Sequence, residues 1–232
     1  MKWLLMTFMF AATLVYGQGQ TRPTLAQPVY RFKSEGKSRL VALARLGAAV
    51  QISILVESGS LKFLEEPITV RADAEPLESV INRIVSGPEH FKVKPRGSLL
   101  VIYPTLLHVP TNRLLSLKFA PITYQGTTIF DLNQTLLYAI ERASGCKNVG
   151  FVWTGMAFKL SVPPFHLASS NLEDIAEKVA ESSERWMWVV APTRRHRGCI
   201  NELFGTSQFS VYDTEEGRYL PFSSSIGPDF VR

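Results

Sequence analysis

Any chemistry in this chain would have to come from few side chains. The four histidines, His90, His108, His166 and His196, are the candidates for general bases or metal ligands. None stands in an H-x-H or H-E-x-x-H arrangement, the spacings that bring two imidazoles to one ion. Cys146 and Cys199 can form one disulfide in an oxidising compartment or stand as two separate buried thiols, and both readings stay open. With His196 three residues before Cys199 they still fall short of a zinc ligand set. Glu65-Glu66 with Asp73 and Glu75 is an acidic group that solvation at strand ends and helix starts explains without an acid–base role. There is no G-x-S-x-G elbow, no phosphate-cradling glycine loop and no dinucleotide fingerprint. The densest charge is Arg194-Arg195-His196-Arg197, which either contacts an acidic partner or anion through its arginines or is a solvated loop. The residues therefore predict a non-enzymatic protein with no catalytic, cofactor-binding or metal positions.

Composition sets the compartment and the partners. Hydrophobic residues at 46% against 19% charged fit a folded globular chain. The net charge of +5 comes from basic residues interleaved with Asp and Glu, so no basic face for nucleic acid is expected. At the start, Lys2 precedes an apolar run from Trp3 to Tyr16 and then Gly17. As a helix that run spans about 21 Å, short of the roughly 30 Å hydrocarbon layer, which predicts a signal peptide over 1–17 rather than an anchor. A tethering or buried helix is the alternative reading. No later stretch is long and apolar enough to span a membrane, so a periplasmic or secreted protein is expected. Nothing in the residues sets an oligomeric state.

The elements that would position any site follow from periodicity. Residues 18–29 are Gln- and Pro-rich and read as a flexible N-terminus. A short strand at Tyr30 to Lys33 and a turn at Ser34-Glu35-Gly36 lead to a helix carrying Leu40, Leu43, Ala44 and Gly47 on one face. Strands follow at Gln51 to Val56 and Pro67 to Val70, with a loop from Glu57 to Ser60. A second helix starts at Pro76, carries Leu77, Val80, Ile81, Ile84 and Val85, and stops at Ser86-Gly87-Pro88. Phe91 to Lys94 and Leu99 to Tyr103 flank Pro95-Arg96-Gly97 as a hairpin.

The second half predicts strands at Leu115 to Ala120, Val149 to Trp153 and from Leu160, with a helix between carrying Leu136, Ala139, Ile140 and Ala143. Then comes the strongest amphipathic signal, Leu172, Ile175, Ala176, Val179 and Ala180, opened by a capping box from Ser170 to Glu173. A strand from Trp186 to Val190 follows. Alternation places Trp186 and Trp188 on one face, packed on the Leu172 helix; Met187 takes the other, a docking surface if uncovered. Trp153, Phe158, Phe165, Trp186 and Trp188 make this half rich in aromatics. Beyond it, Phe209 to Asp213 and Arg218 to Phe222 read as a hairpin.

Set side by side, both halves run strand, helix, strand, strand, helix, strand. At an offset of 95, Leu77, Val80, Ile84, Phe91 and Val93 fall on Leu172, Ile175, Val179, Trp186 and Trp188. At an offset of 96, Leu40, Leu43, Ala44 and Gly47 fall on Leu136, Ala139, Ile140 and Ala143. An internal repeat is expected.

Through Phe32, Ala42-Leu43-Ala44, Gly47, Ile52 to Leu55, Ile68-Thr69-Val70, Pro76-Leu77, Val80 to Val85 and Phe91 to Val101, the first half resembles the short N-terminal domain of secretins and TonB-dependent receptors. The second resembles it through Phe130-Asp131-Leu132, Ser144-Gly145 and the Leu172 helix. The resemblance implies an α+β fold of two small βαββαβ sandwich-like units, with mixed sheets and helices on one face. The units would occupy 30–104 and 105–192, followed by an extension at 193–232. It implies a periplasmic protein–protein interaction module of the cell envelope, meeting another envelope protein. Family members place this domain ahead of a barrel or secretin ring, which this sequence does not show, so a channel role is not expected. The alternative is a periplasmic enzyme, or a cell-wall or small-ligand binder, with its site in the cleft between the units.

Overall fold

The computed structural model describes residues 22–105, 117–144, 150–153, 162–181, 186–191 and 202–207. The predicted leader and the predicted hairpin at 209–222 lie outside them. The first half contains β1 (Pro28–Val29), β2 (Phe32–Ser38), α1 (Arg39–Val50), β3 (Ser53–Glu57), α2 (Leu61–Glu65), β4 (Pro67–Ala72), β5 (Glu75–Pro76), α3 (Leu77–Ile84), β6 (Phe91–Arg96) and β7 (Leu99–Pro104). The second contains β8 (Ile122–Tyr124), α4 (Ile129–Ser144), β9 (Gly150–Trp153), β10 (Phe165–Leu167), α5 (Leu172–Ala180), β11 (Trp186–Ala191) and β12 (Glu202–Ser207).

Local chemistry sets the ends of these elements. The Ser38 hydroxyl accepts from the Val41 amide at 3.3 Å to open α1. At the other end Gln51 turns left-handed and the Ile52 amide reaches the Gly47 carbonyl at 2.9 Å. Leu40 through Ala44, Leu46 and Gly47 are all buried, as befits a helix enclosed on most sides. The turn expected at Ser34-Glu35-Gly36 is instead strand. Gly36, at φ 60°, takes up a register shift between Glu35 and Lys37, so β2 continues pairing with β4 to Ser38. The capping box of α5 sits one residue later than expected. Asn171 and Asp174 exchange bonds of 2.7 and 3.0 Å, whereas the Ser170 backbone is engaged in a bridge to Phe119. The short helix α2, capped by Ser60, and strands β8, β10 and β12 add to the expected elements.

Two sheet patterns each occur twice. β2 pairs antiparallel with β4 as a two-stranded sheet, and β8 pairs antiparallel with β10. β6, β7 and β3 lie side by side, β6 antiparallel to β7 and β7 parallel to β3; β11, β12 and β9 repeat that order and those senses. The two triplets are joined by parallel pairing of β3 with β11, giving one mixed sheet ordered β6-β7-β3-β11-β12-β9. β1 and β5 form a further small ladder.

The join has a geometric consequence. β3 and β7 run with β11, so they run against β12 and β9. Triplets of the same order but opposite sense are related by a half-turn about an axis lying in the sheet across the strands. That half-turn sends the helices of the two halves to opposite faces. The cores agree. Ile54, Val56, Leu100, Ile102, Met187 and Val189 pack with α1 and α3; Leu55, Leu99, Val101, Trp188 and Val190 pack with α4 and α5. The helices of each half thus lie on one face; because those of the two halves meet the sheet from opposite sides, they cover both faces of β3, β7 and β11. Their uninterrupted apolar runs, such as Leu99 to Ile102, are what double burial demands.

Leu55 lies in the first half but fills the second core. Leu55→Ala is expected to cost about 2–5 kcal/mol and to lower a single urea transition. Tryptophan fluorescence, reporting Trp153, Trp186 and Trp188, and far-UV dichroism should shift together. Two separated transitions would show that the halves unfold independently.

Candidate functional site

The polar chemistry that the fold concentrates lies at the seam between the halves. Arg96 ends β6, and the hairpin reverses through Gly97, whose φ of 54° suits the first position of a two-residue hairpin turn. The guanidinium donates to Glu177 and Glu173 at 2.9 Å each and also to Asp174, while Lys94 reaches Glu173 at 3.4 Å. The three carboxylates lie on one side of α5, so the helix of one half is tied to the hairpin of the other. Burial opposes the charge of Arg96, but the bonds to Glu177, Glu173 and Asp174 outweigh it and hold its pKa above the ordinary value. Sequence reading passed over this cluster. The available signal was Glu173, Asp174 and Glu177 at helical spacing, with Lys178, itself paired to Glu181, as the one cation of the helix.

A second cluster surrounds Phe63. The Arg39 guanidinium lies 4.2 Å from the ring centre and donates to the Ile84 carbonyl at 2.6 Å, joining the starts and ends of α1, α2 and α3. Phe63 stacks on Phe91 with centres 5.7 Å apart, and a Cβ at Gly87 would strike the Phe63 ring. Glu89 closes the same end of the sheet by accepting from the Ser58 hydroxyl at 3.0 Å and the Gly59 amide at 2.9 Å. Ser58 in turn donates its amide to the Val190 carbonyl.

The residues singled out from sequence disperse in the fold. His90 is exposed in the turn before β6, and its carbonyl accepts from Thr105. His166 pairs with Thr123 at 2.8 Å on the exposed side of the β8–β10 ladder. His108 and His196 lie outside the described residues, as do Cys146, Cys199, Arg194, Arg195 and Arg197. The last four fall near or within the 192–201 connection from β11 to β12, where Gly97 and Ser98 suffice between β6 and β7. Asp73 accepts from the Arg31 amide, Glu75 pairs with Arg83 and Glu66 with Arg39, so the acidic group is not one site. Phe165 packs on Tyr124 with ring centres 5.4 Å apart. Trp188 is buried against the Leu172 helix as expected. Met187 is only 1% exposed, so the docking surface considered there does not exist: the first core covers it. Among the described residues no group of His, Cys, Asp or Glu could hold a metal, and no helix is long and apolar enough to cross a membrane.

What the fold does present is backbone at strand edges. Because Arg96 and Leu99 flank a two-residue turn, Arg96, Lys94 and Lys92 bond to β7 while Phe91, Val93 and Pro95 turn their backbone groups outward. At the far side, β9 pairs with β12 and with no other described strand. Comparison with protein-family models, curated proteins and solved structures found no match to this chain.

Arg96→Met is expected to cost about 1–3 kcal/mol, because three part-buried carboxylates then lose their shared guanidinium, with Lys94 reaching Glu173 and the Asn171 amide reaching Asp174. Faster amide exchange in α5 and β6 should accompany it, with Arg96→Lys recovering part of the loss. Unchanged exchange in α5 would show that the cluster does not tie the halves. Glu65 gives a pH-dependent test. Burial raises its carboxyl pKa, and one oxygen is buried without a hydrogen-bond partner among the described residues. A raised acid favours the protonated fold, so its destabilising effect is complete above the folded pKa and fades as pH falls towards the unfolded value of about 4.3. Glu65→Gln should therefore raise the melting midpoint at pH 7, with the advantage shrinking by pH 4. A constant difference across that range would exclude ionisation as the cause.

Proposed function

We propose that this chain is an exported, non-catalytic protein–protein interaction module of the cell envelope, made of two tandem units similar to the short N-terminal domain of secretins and TonB-dependent receptors. The units are the sandwich-like segments at 30–104 and 105–192, the second completed by β12. Contact with another envelope protein is made by strand addition at an open sheet edge. Three features support this reading. The pairings β2–β4 and β6–β7–β3 of the first half recur as β8–β10 and β11–β12–β9 in the second. Among the described residues the outer strands of the six-stranded sheet each leave one side unpaired, a side that can take an incoming strand. The signal-like leader at Met1 to Gly17 points to export.

The single observation that carries the proposal is that β6 and β9, the outer strands of the described sheet, each pair on one side only among the described residues, beside strands β3, β7 and β11 that are buried on both faces. A ligand or catalytic site in a cleft between the units draws no support from the seam. Backbone pairing and the Arg96 cluster occupy that space.

The test combines compartment and contact. The mature chain is expected in the envelope fraction with a mass lacking residues 1–17, and photo-crosslinkers at sheet-edge positions should join it to an envelope protein. Recovery in the cytosol with the leader attached would overturn the proposal, as would edge positions that crosslink to nothing.

A further inference from the structure

We propose that the partner enters at β9, as a parallel strand with the apolar alternation of β11. This rests on the interaction reading above and specifies which edge, direction and strand chemistry it uses. Among the described residues the six-stranded sheet has two outer strands, and they are not equivalent. β6 reads Phe-Lys-Val-Lys-Pro-Arg, with lysines at alternate positions and a proline whose missing N–H lies on the outward side. β9 reads Gly-Phe-Val-Trp, without charge or proline.

The internal seam supplies the template for what such an edge accepts. β9 holds in the second half the place that β3 holds in the first: each pairs in parallel with the second strand of its hairpin. The outer side of β3 is filled by β11, in parallel, with Met187 opposite Ile54, Trp188 opposite Leu55 and Val189 opposite Val56. Both faces of that added strand are buried: Met187 and Val189 in one core, Trp188 and Val190 in the other. One face is covered by α1 and α3 of the half that β11 joins and the other by α4 and α5 of its own half. A partner strand at such an edge therefore needs an apolar face toward the resident helices, brings cover for its other face and must donate along its length.

A second copy of this chain does not meet that requirement. Its β6 would have to take the place of β11, and at the repeat offset of 95 Lys92, Lys94 and Pro95 replace Met187, Val189 and Val190. Two ammonium groups would enter a core and one backbone donor would be missing. We therefore assign the occupant to a strand of another protein rather than to β6 of a second copy.

The probe is a peptide with the sequence of Trp186–Ala191 and a solubilising tail, added to the full-length mature chain. Saturable binding is expected, with amide-exchange protection at Gly150–Trp153. A version N-methylated at alternate residues should bind about tenfold more weakly or worse, the loss expected from removing two backbone hydrogen bonds. A peptide of Phe91–Arg96 should not bind. As an independent arm, the triple variant Lys92→Met, Lys94→Val, Pro95→Val should form head-to-tail oligomers in sedimentation, while the parent chain stays unassociated. No peptide binding, protection elsewhere than β9, or a triple variant that does not assemble would overturn the assignment. Parent chains that already assemble through β9 and β6 would overturn the choice of occupant. Envelope crosslinking through another edge would leave the interaction reading standing while this assignment falls.

Discussion

Parallel pairing of β3 with β11 is the constraint from which the arrangement of the halves follows. These strands are separated by well over a hundred residues, yet they share a four-residue register at the centre of the sheet. A strand paired on both sides and covered on both faces is apolar at its centre, as Ile54-Leu55-Val56 and Met187 to Val190 are, with buried Ser53 and Glu57 at the two ends of β3. The sense of the pairing also decides where the helices go. Because the second triplet runs opposite to the first, its helices lie on the other face, and α5 packs over β7, β3 and β11 rather than over its own hairpin alone.

That placement brings the acidic side of α5 onto the β6–β7 turn and explains the one dense ionic cluster of the described residues. An apolar seam alone would permit α5 to slide along the sheet. Arg96 presents a planar fork to three carboxylates at helical spacing, so its hydrogen bonds are satisfied in one position of the helix. Gly97 contributes sterically as well as through its φ, since a side chain there would meet Glu177. The Phe63 cluster does the same for the first core. Gly87 lets the chain pass close over the ring, and Arg39 spans the ends of three helices.

Much of this local structure was legible. Helices α1, α3, α4 and α5 follow from apolar spacing, and the β6–β7 hairpin from Pro95-Arg96-Gly97 between two strand-like runs. The doubled order of elements could be read from the offsets of 95 and 96. What was not legible depended on partners distant in sequence. The three-residue strands β8 and β10 have too few residues for a period and exist through their mutual pairing. Gly36 looked like a turn because a bulge and a turn use the same left-handed glycine. Asn171 and Ser170 are both good caps; the bridge from Ser170 to Phe119 decides between them. Whether the Met187 face was covered could not be read, because an alternating pattern reveals two faces but not that another half covers one of them.

The candidate site was the least legible part, for a physical reason. Side-chain chemistry leaves marks in a sequence because it needs particular residue types at particular spacings. Strand addition uses the backbone, which every residue except proline carries in full. It becomes visible only as a difference between edges. Along β2 and β4, Lys33, Glu35 and Arg71 form ion pairs on an exposed ladder, and along β6 two lysines and a proline stand where the equivalent seam strand has Met, Val and Val. Those substitutions cost nothing at a solvent edge and would be prohibitive in a seam. Corresponding positions of the two halves thus hold two different strands: β11, apolar and paired on both sides, and β6, carrying lysines and a proline and paired with β7 alone among the described residues.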